Sequence, residues 1–307
     1  MSRYYMPKAN DGAIGMICRY LLHRERPRPA FPSAIQIQTT SLCNASCIFC
    51  GWKNTRKSLP QGQMEESLFR KIADECGRNF VTRISPYLMN EPLIDKDLPR
   101  RIAYLSKRVK PWTKIKLSTN GALLTPEVSE RLIDAGLRRL WVSVQGYSQE
   151  TYGQSMSLDL KSVLNNIDVF LEMKKRRKAK LPKLLITTLR TKIVEHELEE
   201  AARYWAMRGV EWRLHNPDNR SGEDISNLST QKIEFRRRCD LFLKQAYILY
   251  NGDMILCCHD WGRTVVLGNV AESSIKEIWN SKKYLDLIRE YQAGDFSNLA
   301  ICRNCRG

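Results

Sequence analysis

Cys43, Cys47 and Cys50 stand in the run Ser-Leu-Cys-Asn-Ala-Ser-Cys-Ile-Phe-Cys, a C-x3-C-x2-C triplet just after an apolar stretch. Three thiolates at this spacing on a tight loop can hold three irons of a [4Fe–4S] cluster. The fourth iron is then left without a protein ligand, open to coordinate and reduce a cofactor. A structural zinc site wants four closed ligands, and no fourth Cys or His lies near the triplet. Three cysteines in one short loop of a basic, non-secreted chain do not form a disulfide framework either. A second set, Cys239, Cys257, Cys302 and Cys305, gathers toward the end of the chain. Four thiols of this kind could fold a small tail around zinc or around iron and sulfide.

With aromatic Phe49 before its last cysteine, the triplet resembles the signature of the radical S-adenosylmethionine (SAM) enzymes, and the likeness spans residues 34 to 307. The resemblance implies site residues at successive strand ends. Glu91, in Asn-Glu-Pro, matches the carboxylate that accepts hydrogen bonds from the amino group of SAM, with Asn90 standing where a glycine is usual. Ser118 and Asn120, in Ser-Thr-Asn-Gly, match a segment suited to a ribose edge, and Ser143 and Gln145 are placed to play the same part. Arg220, in Asn-Arg-Ser-Gly, is similar to an arginine that faces the substrate or the SAM carboxylate; a forked, always-charged donor suits either task, and a structural loop role suits it too. His215 carries no assigned chemistry.

The tail pattern is similar to the SPASM domain in its shortened twitch form: Cys239, twelve residues, Gly252, four residues, Cys257, then Cys302-x2-Cys305. This implies one auxiliary [4Fe–4S] cluster on Cys239, Cys257, Cys302 and Cys305. Cys258 is then spare. It resembles the free cysteine that some twitch-bearing epimerases use as hydrogen-atom donor, with a buried inert thiol as the alternative. Within the family, the 2-deoxy-scyllo-inosamine dehydrogenase type and the sugar epimerases carry the nearest arrangement. The implied cofactors are SAM and two [4Fe–4S] clusters, served by a flavodoxin- or ferredoxin-like electron donor. The implied reaction takes hydrogen from a carbon of a carbohydrate or polyol. Epimerisation with Cys258 as donor is the first expectation, and dehydrogenation with the auxiliary cluster as electron acceptor the second. A peptide maturase shares the core but recruits its leader through an N-terminal winged-helix module, and 33 residues are too few to form one. A nucleic-acid-binding iron–sulfur or zinc protein would explain the charge, but it needs neither an open iron nor Glu91, and no aromatics interleave the basic runs.

The elements that must position these residues alternate. Strands are expected over 34–39, 80–85, 114–118, 139–144, 184–189 and 211–214, with helices over 65–76, 97–107, 125–135, 160–177 and 195–207. Six βα units imply a parallel sheet curled into a partial (β/α)6 barrel, an α/β fold of the radical SAM type. Asn251-Gly252 between two apolar runs predicts a hairpin, and Ser274 caps a short helix. The expected division is a basic N-terminal extension over 1–33, with a short helix over 13–23, the barrel over 34–222 and a twitch tail over 223–307. The formal charge of +17, from 50 Lys and Arg against 33 Asp and Glu, favours a neutral or anionic partner. Runs such as 174–178 and 236–238 are expected as solvated faces, and Cys18 and Cys76 as small buried hydrophobes. No stretch reaches the ~18 apolar residues of a membrane span, and no signal peptide is evident, so a reducing, cytoplasmic setting is expected.

Overall fold

The computed structural model describes residues 4–5, 26–218, 225, 227–231, 239–303 and 305. Arg220, Cys18, the segment 13–23 and the run 236–238 lie outside them. Two short strands, β1 (Tyr4–Tyr5) and β2 (Arg26–Pro27), pair in parallel. The main sheet is built from β3 (Ala34–Ile37), β4 (Arg83–Ser85), β5 (Lys114–Thr119), β6 (Arg139–Ser143), β7 (Lys183–Leu189), β8 (Glu211–His215), β9 (Gln245–Ile248), β10 (Asp253–Ile255) and β11 (Val266–Asn269). Its spatial order is β11-β10-β9-β3-β4-β5-β6-β7-β8. Strands β9 to β8 run parallel, β10 and β11 are antiparallel, and the two edges do not meet. The result is the open, partial barrel expected of the alternating pattern.

Helices α1 (Trp52–Thr55), α2 (Glu66–Arg78), α3 (Leu98–Arg108), α4 (Pro126–Asp134), α5 (Gln149–Met156), α6 (Leu160–Arg176) and α7 (Leu198–Met207) belong to the barrel segment. The tail carries α8 (Leu241–Lys244), α9 (Ile275–Trp279), α10 (Lys282–Ala293) and α11 (Ala300–Arg303). Helix ends follow local chemistry. The Thr125 hydroxyl accepts from the Val128 N–H at the start of α4, and Gly136 takes φ +83° just after it. Ser274 and Glu277 form a reciprocal capping box at α9. Strand alternation sets two environments: Ile115 and Leu117 of β5 pack into the core under the helices, while Lys116 and Ser118 face the lumen.

The tail hairpin differs from its simplest reading. Gly252, at φ +93°, makes the expected turn between β9 and β10. Yet β9 also pairs in parallel with β3, from Ala34↔Gln245 to Ile37↔Ile248, so the barrel sheet continues through the tail. A period-2 pattern shows that a strand exists but not which neighbour it joins. Helix α5 and strand β11 had no counterpart among the expected elements.

Candidate active site

A cavity of about 440 Å³ opens at the C-terminal ends of the barrel strands. Cys43, Cys47 and Cys50 line it together with Glu91, Ser118, Asn120, Ser143, Gln145 and Cys258. Nine residues singled out from sequence thus converge on one space. Cys239, Cys257, Cys302 and Cys305 lie apart from that lining, and Arg220 lies outside the described residues.

The triplet loop leaves β3 and is fastened at both ends. Ser46 N–H donates to the Met156 carbonyl at 3.2 Å and Ile48 N–H to Ser155 at 3.1 Å, so the end of α5 straps it. Asn120 Nδ2 donates to Asn44 Oδ1 at 2.8 Å. Gly51 follows the last cysteine directly, and a Cβ there would come within 2.8 Å of the Trp261 ring, so only glycine allows the tail so close. Trp52, Met89, Tyr247, Leu249, Ile255 and Trp261 form a separate apolar cluster against which Cys43, Cys50 and Cys258 all pack.

Glu91 is buried, with three donors on its carboxylate. Oε1 accepts from Thr119 Oγ1 at 2.6 Å and Leu93 N–H at 3.0 Å, and Oε2 from Asn120 N–H at 2.8 Å. Burial still pushes its pKa up to about 7. A carboxylate that three hydrogen bonds do not fully stabilise favours a cationic partner such as an ammonium group. Asn90, where glycine is usual, closes a local turn by accepting from Leu88 N–H at 2.9 Å. Gln145 Oε1 accepts from Leu189 N–H at 2.6 Å, and the Ser143 and Thr187 hydroxyls face each other at 3.4 Å.

The thiols are poorly suited to ionise without a metal. Burial raises Cys43 to about 11 and raises Cys47 further, with the neighbouring thiolates adding to both shifts. In the tail, burial and then Cys239 and Cys305 raise Cys302 to about 12. Backbone N–H groups nevertheless point at sulfur: Leu241 at Cys239 Sγ and His259 at Cys257 Sγ, both at 3.4 Å. Mutually repelling thiols that accept backbone donors fit thiolates assembled around a positive metal centre. Among the described residues no three His, Cys, Asp or Glu side chains are grouped to hold a metal ion. The fit rests instead on the donor set, thiols alone with backbone N–H groups on the sulfurs of Cys239 and Cys257, which suits iron–sulfur ligation. The residues present therefore fit the groups implied: Cys43, Cys47 and Cys50 would hold one cluster, Cys239, Cys257, Cys302 and Cys305 another, and Glu91 the amino group of SAM.

Cys258 faces the cavity from a loop built around buried Asp260. The Asp260 carboxylate accepts from Thr264 N–H, Thr264 Oγ1 and Val265 N–H at 2.9 to 3.0 Å. His259 lies 3.8 Å from Asp218, which also lines the cavity. Sequence reasoning passed over Lys116, Trp141 and Thr187, which line the lumen below the strand ends. The signal was available: stepping two residues back from Ser118 and Ser143 along the same strand faces gives Lys116 and Trp141.

Comparison with known proteins agrees with this geometry. The Radical SAM superfamily profile matches residues 37–204, more than half of the chain. The chain belongs to the radical SAM superfamily. The SPASM profile, an iron–sulfur cluster-binding domain, matches residues 239–306. This radical SAM enzyme accordingly uses SAM and a [4Fe–4S] cluster, with auxiliary iron–sulfur binding in its tail. A SAM-dependent 2-deoxy-scyllo-inosamine dehydrogenase of Niallia circulans is 21% identical over 280 residues, covering 89% of the chain and 92% of that protein. An AdoMet-dependent heme synthase of Methanosarcina barkeri is 31% identical over 170 residues, 53% of the chain and 44% of the relative. Among solved structures, BtrN in complex with AdoMet and 2-DOIA superposes with a TM-score of 0.62 at 19% identity, covering 89% of the chain and 92% of BtrN. Streptococcus suis SuiB bound to precursor peptide SuiA gives 0.69 at 16% identity, covering 90% and 70%. At these identities the superpositions speak for the fold. Among the described residues no helix is long and apolar enough to cross a membrane.

Proposed function

We propose that this enzyme epimerises a carbinol carbon of a carbohydrate or polyol, with Cys258 returning the hydrogen atom. The observation that carries the reading is Cys258 on the wall of the cavity that Cys43, Cys47, Cys50 and Glu91 also line. SAM on a reduced cluster supplies a hydrogen-abstracting 5′-deoxyadenosyl radical. The chain's own residues do the rest. Glu91 orients the cofactor's amino end, Ser118, Asn120, Ser143 and Gln145 offer polar edges to its ribose, and the apolar nest of Trp52, Met89 and Trp261 keeps water from Cys258. The Cys258 S–H bond breaks as a C–H bond forms on the opposite face of the substrate carbon. The sulfur radical left behind regains one electron and one proton, the electron coming from a flavodoxin- or ferredoxin-like donor. In this scheme the barrel over 34–222 activates and the tail over 223–307 quenches.

Dehydrogenation of the same carbinol is the second reading. It is favoured by the match to 2-deoxy-scyllo-inosamine dehydrogenase over nearly the whole of that relative. Turnover of candidate carbinols in deuterium oxide separates the two. Epimerisation places one solvent deuterium on the inverted carbon, and Cys258→Ala abolishes it while 5′-deoxyadenosine still forms. A ketone without deuterium, unaffected by Cys258→Ala, would overturn the epimerase reading in favour of the dehydrogenase.

A further inference from the structure

The lumen below the site carries charge that the reaction as proposed does not use. Lys116 of β5 lines the cavity about 7 Å deeper than Ser118, two residues along the strand. Its Nζ lies 3.0 Å from the Trp141 ring centroid and 5.5 Å from that of Tyr87. The charges acting on it are all positive: Arg83 of β4, Arg139 of β6 and Arg213 of β8. Of these, Arg213 pairs with Glu211, at 2.9 Å from Nε. Arg83 instead bonds neutral Gln245 at 2.8 Å, and among the described residues neither Arg139 nor Lys116 has a carboxylate partner. The remaining neighbours along this wall are the neutral Gln36 and Thr187 and the His215 ring, which stacks on Trp141 at 6.4 Å between centroids. Of these four cations Lys116 is the one that lines the cavity; the arginines around it repel its charge, and an anion beside it in the cavity relieves that repulsion.

We propose that Lys116 anchors an oxyanion of the substrate, a phosphate monoester or a carboxylate, in the barrel lumen below the SAM end of the cavity. The proposal rests on the carbinol reading above and deepens it by naming the group that holds the substrate. Lysine suits the task as a compact point charge on a flexible stem. Burial and then the three arginines lower its pKa to about 7 in the free protein, and a bound oxyanion reverses that shift, so binding draws in a proton. The sign follows: affinity is full where Lys116 is already charged, below about 7, and falls as pH rises through that value.

Sulfate is the probe, because its charge is constant over the range, titrated calorimetrically into the anaerobically reconstituted protein with SAM bound. Binding weakens about 25-fold between pH 6.5 and pH 8.5 by linkage. Lys116→Met binds at least tenfold more weakly at pH 6.5. Lys116→Arg keeps a fixed charge and binds with little pH dependence; a dependence owed to His215 would survive that substitution. Glycerol 3-phosphate and glycerate then compete with sulfate where glycerol does not, and the stronger competitor names the oxyanion. Unchanged affinity in Lys116→Met, persistent pH dependence in Lys116→Arg, or no advantage of either anion over glycerol would each overturn the anchor while leaving the carbinol reading intact. Conversely, normal sulfate behaviour with no deuterium or ketone appearing in any carbinol tested removes that reading and leaves the anchor standing.

Discussion

Glu91 shows how one side chain can be fully hydrogen-bonded and still call for a ligand. Three donors converge on it, from Thr119, Asn120 and Leu93, and burial nevertheless keeps its pKa raised. Glu91→Gln keeps the shape and removes the charge. SAM affinity is expected to fall by about 2 kcal/mol, roughly thirtyfold, in equilibrium dialysis, while iron content stays unchanged because Glu91 holds no metal. Equal affinity in the variant would take the carboxylate out of SAM recognition. Gly51 acts by absence. A Cβ there meets the Trp261 ring at 2.8 Å, so Gly51→Ala must push the tail's Trp261 off the triplet loop. Overpacking of this kind costs about 1–3 kcal/mol, to be read as a lower thermal midpoint together with faster loss of iron to a chelator.

Among the elements, the contact between α2 and α9 shows what periodicity hides. Glu75 of α2 is buried, and its carboxylate accepts from the Ile275 and Lys276 N–H groups at 2.9 Å, capping a helix that begins 200 residues later. Glu75→Gln leaves one oxygen for two donors and removes a negative charge from a helix N-terminus. About 1–2 kcal/mol should be lost, seen as a lower thermal midpoint and earlier proteolysis within the tail. An amphipathic pattern assigns such a glutamate to solvent, because nothing local says that a distant helix will land on it. What was legible is what local chemistry decides: the six barrel strands, the Thr125 and Ser274 caps, and the turn at Gly252. Partners chosen over distance were not legible. The pairing of β9 with β3, the strap of α5 on the triplet loop and the capping by Glu75 all belong to that class. The site divides in the same way. Cys43, Cys47, Cys50, Glu91, Ser118, Asn120, Ser143 and Gln145 could be singled out because they follow strand ends in order, and one cavity gathers them. Lys116 and Trp141 share the strand faces of Ser118 and Ser143 and could have been found by that step of two, but a lysine in mid-strand reads as an exposed edge until the lumen is seen.

At the scale of the whole molecule, the continuous sheet joins the strand that leads into the triplet loop to the strands that lead into Cys257 and Cys258. Strand β9 lies beside β3, the chain passes from β10 to Cys257 and Cys258, and the same apolar nest touches Cys258, Cys43 and Cys50. Cys258 therefore lies between the SAM end of the cavity and the tail set, where a hydrogen donor or an electron path would have to be. The two sets should nonetheless load independently, since they draw their thiols from separate loops and share no ligand. Anaerobic reconstitution is expected to give about eight irons and no zinc per chain. Cys302→Ser should leave about four irons and preserve uncoupled SAM cleavage, because Cys43, Cys47 and Cys50 retain their strap on α5 and their hydrogen-bonded neighbours. Loss of all iron in that variant would mean that the tail cluster, through β9 and Trp261, holds the triplet loop in shape. A preparation with about four irons and one zinc would make the tail a structural clip. It would remove the electron-accepting role on which dehydrogenation depends, leaving Cys258 as the exit for the substrate radical.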